Sequence, residues 1–245
     1  MRNRFIRSIF ALGAVLVFSP VLLAQTAKPS GAAKAQTAAP TPDLSGVWLG
    51  QSVHRFFKPN DVLPMQPWAE EKFKTVREGQ DPTDKGRNDI DPALTRCAPS
   101  GFPRILAQPY PMEIIQLPGR VLMLFELDHW VRHIYTDGRE HPKDPDPTWM
   151  GHSIGRWDGD TFVVDTIGLT DKTWLDISGY PHSDALHVVE RYRRVDHGSL
   201  QVDLTFEDPK AYTKPWKGQF SFTLRPGWEI EEQVVCEDRS PNETR

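Results

Sequence analysis

The sequence predicts an all-β fold, mainly antiparallel: a closed or nearly closed barrel of about nine to ten strands with one flanking helix. Three observations predict it. Short runs rich in Val, Ile, Leu, Phe and Thr recur along the second half of the chain. Turn pairs punctuate them: Pro118-Gly119, Asp137-Gly138, Asp158-Gly159, His197-Gly198 and Pro226-Gly227, in which glycine supplies the backbone freedom that tight reversals need. Only one segment carries a helical period. Strands joined in this way form a meander, and a meander removes its unpaired edges by closing on itself.

The elements follow in order. Leu44–Gly50 is a short first strand carrying Gly46-x-Trp48. From Pro67, the residues Ala69, Phe73 and Val76 recur at helical spacing, with Glu70 and Glu71 in the first turn and Gly79 after the last, which predicts the helix. Gln80–Pro109 has repeated Asp-Pro pairs and few apolar residues, so it reads as a long loop over the fold. Met112–Leu117 and Val121–Leu127 flank Pro118-Gly119 and form a hairpin. Trp130–Thr136 runs into Asp137-Gly138, a further hairpin signal, and His152–Trp157 pairs with Thr161–Ile167 across Asp158-Gly159. Leu186–Val195, Leu200–Glu207, Gln219–Leu224 and Glu229–Cys236 complete the strand set.

The start of the 245-residue chain reads differently. Arg2, Arg4 and Arg7 precede an apolar run from Ile9 to Leu23, followed by Ala24-Gln25. That is the three-part pattern of a Sec signal peptide over residues 1–24, shorter than a membrane-spanning helix requires. No cysteine stands at the cut to carry a lipid, so the mature chain is expected in the periplasm or secreted, without a stable membrane anchor. Residues 25–42 are mostly Ala, Thr, Pro, Lys and Gly without a large apolar side chain, a composition too poor in burial to offset ordering, so they are expected to form a flexible linker. Residues 43–245 suit one domain.

Without the three leader arginines, 26 basic residues face 33 acidic ones, a net charge of −7. That balance excludes a basic nucleic-acid-binding face. Cys97 and Cys236, the only cysteines, both lie in the exported part. In an oxidising compartment they are expected to form one disulfide, a reactive thiol or a metal ligand being the alternatives. Closing so long a loop would contribute about 4–5 kcal/mol in the chain-entropy account.

Leu44-Ser45-Gly46-Val47-Trp48 resembles the Gly-x-Trp signature on the first strand of lipocalin-type barrels. A longer pattern is similar to a set of exported bacterial proteins with a lipocalin-like, calycin-type barrel. It comprises Pro109-Tyr110-Pro111, His133 to Arg139, Trp149 to Asp165, Trp174-Leu175-Asp176, Pro181-His182-Ser183 and Glu190-Arg191. The resemblance covers most of the mature chain and implies an exported, lipocalin-like β-barrel. It transfers no catalytic residue.

The chemistry-bearing residues concentrate between Asp146 and Thr161, where two tryptophans, a histidine, an arginine and three aspartates stand between strand-like segments. Strand parity sorts the rest. Leu186, Val188, Glu190 and Tyr192 share one face, and His187, Val189, Arg191 and Arg193 the other. Val131, His133 and Tyr135 lie together, opposite Arg132 and Ile134. Charges facing into a small barrel must be paired or line a cavity, because an unpaired buried charge costs several kcal/mol.

His152, His187, Glu190 and Asp165 are the candidate proton-transfer groups, since histidine titrates near neutral pH and a desolvated carboxylate can be raised into that range. His187 and Glu190 differ in parity, so they share a cavity only across a bulge. Glu190 paired with an arginine, and Asp165 satisfied by loop amides, are the competing structural readings. Trp149, Trp174, Tyr135, Arg132, His133 and His182 are the candidate substrate-binding residues, with the Trp174 to Ser183 segment as a lid or a pinned loop. The eight histidines form no His-x-His or His-Glu-x-x-His pattern, and neither a phosphate loop nor a dinucleotide fingerprint occurs. No metal and no cofactor is therefore expected, a metal site assembled from histidines on distant strands being the alternative. The sequence thus predicts a cofactor-independent acid–base enzyme, a lyase, isomerase or hydrolase, acting on a small apolar or aromatic molecule. The alternative is a non-catalytic carrier of such a molecule. Nothing in the sequence sets an oligomeric state.

Overall fold

A computed structural model describes residues 42–50, 62–78 and 90–233. The expected signal peptide, nearly all of the linker, and Cys236 lie outside the described residues. Nine strands form one closed barrel in chain order: β1 (Gly46–Gly50), β2 (Met112–Leu117), β3 (Arg120–Phe125), β4 (Val131–Tyr135), β5 (His152–Asp158), β6 (Thr161–Ile167), β7 (His187–Arg194), β8 (Ser199–Glu207) and β9 (Trp216–Leu224). β1 pairs with both β2 and β9 and so closes the sheet. This is the closed all-β barrel that the strand pattern predicts, of the lipocalin-like kind that the resemblance implies. The helix α1 (Pro67–Glu78) lies outside it, and no helix among the described residues is long and apolar enough to cross a membrane.

The strands form where period-two alternation gives each an inward apolar face. On β8, Leu200, Val202, Leu204 and Phe206 are all buried; on β9, Phe220 and Phe222 are, and on β6, Phe162 and Val164. Burying a side chain of this kind stabilises by about 1.5–3 kcal/mol. Three hairpins sit where the turn pairs place them, at Pro118-Gly119, Asp158-Gly159 and His197-Gly198, with Gly119 at φ +78° and Gly159 at φ +63°. Helix α1 buries Ala69 and Val76 and stacks Phe73 on Tyr180 at 4.5 Å.

Four features depart from the sequence reading. Asp137-Gly138 turns the chain but opens no hairpin: residues 136–151 make an excursion, and β5 returns parallel to β4, pairing Ile134 with Ser153 and Tyr135 with Ile154. It is the single parallel pair in the barrel. The tenth strand is absent over the described part of Glu229–Cys236; β9 ends at Leu224, and Gln233 makes only an isolated bridge to Leu127. The β1–β9 pairing already closes the sheet, which leaves that segment no edge to join. The described part of the long loop contains short α2 (Pro92–Thr95) and 3-10 η1 (Arg104–Ala107), anchored by a buried bidentate contact of Arg104 with Asp91. Finally, Cys97 is a free, exposed thiol, and Cys236, its expected disulfide partner, lies outside the described residues.

Candidate active site

The barrel wall sorts the candidate residues into three places. Parity holds without a bulge on β7, so Glu190 points inward and His187 outward. Inside, Arg132 and Glu190 are both buried and face each other bidentately, Nη1 to Oε1 at 2.9 Å and Nη2 to Oε2 at 2.5 Å. Ser153 and Thr166 accept from the same guanidinium at 3.1 and 2.8 Å. Tyr192 donates its hydroxyl to Glu190, and the Phe102 ring lies 3.7 Å from the guanidinium. Burial works against the charge on Arg132, but Glu190 more than offsets it and holds the pKa above its ordinary value. Burial first, then the Glu190 charge, push the Tyr192 hydroxyl well up. Every partner of this network belongs to the chain, so Arg132 and Glu190 take the structural role of a matched internal pair.

The second place is the outer face of β4 to β8, where five titratable groups form a continuous chain of contacts. Asp165 pairs with Ile154 on one side and Val189 on the other. His152 and His187 each stand two residues along from those partners, which puts them at the two diagonal positions flanking Asp165. His187 Nε2 lies 2.9 Å from Asp165 Oδ1, and its Nδ1 lies 3.2 Å from Oε2 of Glu207, its direct cross-strand partner. The 136–151 excursion drops His141 into the gap: its Nε2 is 3.1 Å from Asp165 Oδ1 and its Nδ1 is 2.8 Å from His152 Nδ1. Tyr135 stacks on His152 at 5.5 Å, and Arg139 lies 3.8 Å over the Tyr135 ring. His133 lies alongside Tyr135 at 6.5 Å.

Charge is distributed unevenly along this chain. The hydrogen bond from His187 holds the Asp165 carboxyl below its usual range, despite partial burial. The same bond, then Glu207, raise His187 above the ordinary histidine value. His152 moves the other way, lowered by burial first and then by the charges of His141 and Arg139. Proton counting agrees. His187 faces two carboxylates and donates from both nitrogens only as the imidazolium. His141 bridges Asp165 and His152, with Nε2 at the carboxylate and Nδ1 at His152 Nδ1, and among the described residues no hydrogen bond engages His152 Nε2. No group of three or more His, Cys, Asp or Glu among the described residues is gathered to hold a metal.

The third place lies between α1 and the segments around residues 90–98 and 171–174. Trp149 and Trp174 line a cavity there of about 530 Å3. Buried His182 stands behind it, Nε2 2.8 Å from Thr173 Oγ1, and burial depresses its pKa. His141 is the residue that sequence reasoning missed. It lies in an irregular segment with no period to give it a face, and only the excursion's path brings it to Asp165. No protein-family model matches the chain, and no curated protein does.

Proposed function

We propose that the chain is a cofactor-independent acid–base enzyme, a lyase, isomerase or hydrolase, acting on a small organic molecule at the outer face around Asp165. One observation carries this reading: two histidines of opposite poise flank a single carboxylate. Groups whose environments drive their pKa values apart are the usual partners in acid–base work. His152, held neutral, removes a proton from the substrate at Nε2. His187, held as the imidazolium, gives a proton to the atom where negative charge develops. Asp165 keeps both rings oriented, directly for His187 and through His141 for His152. Tyr135 provides the apolar ledge beside the base, which suits an apolar or aromatic substrate. The basic and apolar leader supports work outside the cytoplasm, in the periplasm or secreted.

The test incubates native protein and His152→Gln with a small-molecule extract and follows consumption by mass spectrometry. Native protein is expected to deplete a substrate with a bell-shaped pH profile, and His152→Gln to slow it by about 100-fold or more. No depletion by the native chain, or an equal rate in the variant, removes the proposal. The two tryptophans at the cavity beside α1 favour a second reading, non-catalytic binding of a small aromatic molecule.

A further inference from the structure

We infer that the cavity beside α1 is a binding site for a small aromatic carboxylate, distinct from the acid–base face. The inference rests on the second reading above for the presence of a ligand, and goes beyond it in assigning the ligand's charge and class. Three cations line the cavity, Lys72, Arg96 and Lys172, against one carboxylate, Asp171. The whole chain carries a net charge of −4, so this concentration of positive charge runs against the molecule's own balance. Among the described residues, no ion pair involves Lys72, Arg96, Lys172 or Asp171. Among the described residues none of these charges is spent on an acidic neighbour, and Lys72 lies 6.0 Å from the Trp68 ring.

The walls supply the other half of the recognition. Half-buried Trp149 and buried Trp174 both line the cavity, and a volume of about 530 Å3 is within the range of small-molecule sites, ample for one or two fused rings. Those walls are held in place before any ligand arrives. The Arg104 guanidinium lies 5.5 Å from the Trp174 ring and is itself clamped by Asp91. The Trp149 carbonyl accepts from the Phe102 amide at 2.8 Å. Gly101, at φ +67°, lets its loop close on Thr173, where a Cβ would lie 2.6 Å from Thr173 Cγ2. Thr173 is also tied to His182. A preformed aromatic slot costs little ordering on binding, and cations at its rim are placed to meet a carboxylate. A neutral apolar ligand would use the tryptophans and leave the cations idle; a bare inorganic anion would do the reverse. An aromatic carboxylate uses both.

Calorimetric titration of the full chain with 1-naphthoate, and with neutral 1-naphthalenemethanol as the uncharged match, tests this. Naphthoate is expected to bind at least tenfold more tightly than the alcohol, with affinity falling as salt rises. Arg96→Gln/Lys172→Gln, two exposed positions, is expected to lose about tenfold for naphthoate and nothing for the alcohol. His152→Gln is expected to bind naphthoate unchanged. Equal binding of acid and alcohol, insensitive to the double substitution, overturns the carboxylate assignment and leaves the binding reading standing. Binding of neither at millimolar concentration removes both. Loss of naphthoate binding in His152→Gln moves the site to the acid–base face and likewise overturns the inference.

Discussion

His187 shows how one side chain couples the candidate chemistry to stability. Its folded pKa lies above the ordinary 6.5, so the stabilisation it contributes is complete below that value and is lost as pH rises through the folded pKa. Asp165 lies below its ordinary 3.8, so its share is complete above 3.8 and is lost as pH falls through the folded value. The contact is therefore at full strength between about 3.8 and 6.5. His152 and buried His182 act with the opposite sign, since both favour the neutral ring and stability falls as acid drives protons onto them below 6.5. The contribution of His187 is isolated by difference. Urea unfolding of His187→Gln is expected to show a deficit of about 1 kcal/mol or less at pH 5.5, the size of a partly exposed pair, shrinking toward zero above the folded pKa. A deficit that grows with pH would contradict the raised pKa. Strand parity alone put His187 and Glu190 on opposite faces, because alternation is a local property of extended backbone. It could not show that Glu190 faces Arg132, since that contact joins β4 to β7.

Among the strands, β5 shows what a position demands. Gly155 sits inside the barrel, where an added Cβ would lie 2.5 Å from Phe162 Cζ and 2.8 Å from Ile134 Cγ2. Both neighbours are fully buried rigid groups that cannot swing aside. Gly155→Ala is expected to destabilise by about 1–3 kcal/mol through overpacking, read as a lower urea midpoint with an unchanged slope. A neutral result would mean that the sheet yields there. The same strand marks the limit of turn chemistry as a guide. Pro118-Gly119 and Asp158-Gly159 connect antiparallel neighbours, but Asp137-Gly138 opens an excursion pinned instead to residues 168–170, through Thr148 to Gly168 and Thr170 to Thr148. A turn pair sets a local reversal and does not choose the next strand's partner. That choice supplies His141, and so the middle of the proton chain.

Across the molecule, Arg132 and Glu190 tie four adjacent strands together, because Ser153 and Thr166 share the guanidinium between them. Removing one member leaves a buried charge alone. Arg132→Met and Glu190→Leu are each expected to cost about 3–5 kcal/mol, while the double substitution costs less than either single one. Additive losses in a double-mutant cycle would show that the two charges do not compensate each other.

Nine of the ten strands, the flanking helix and the closed barrel were legible in the sequence, since period, propensity and turn residues act over a few neighbours. Three outcomes were not: the internal charge pair, the parallel return of β5, and the meeting of His141 with Asp165. Each depends on groups far apart in the chain, brought together only when β1 meets β9 and the loops pack onto the closed wall. The free Cys97 follows the same logic, because a spacing between cysteines carries no information about where their backbones end up.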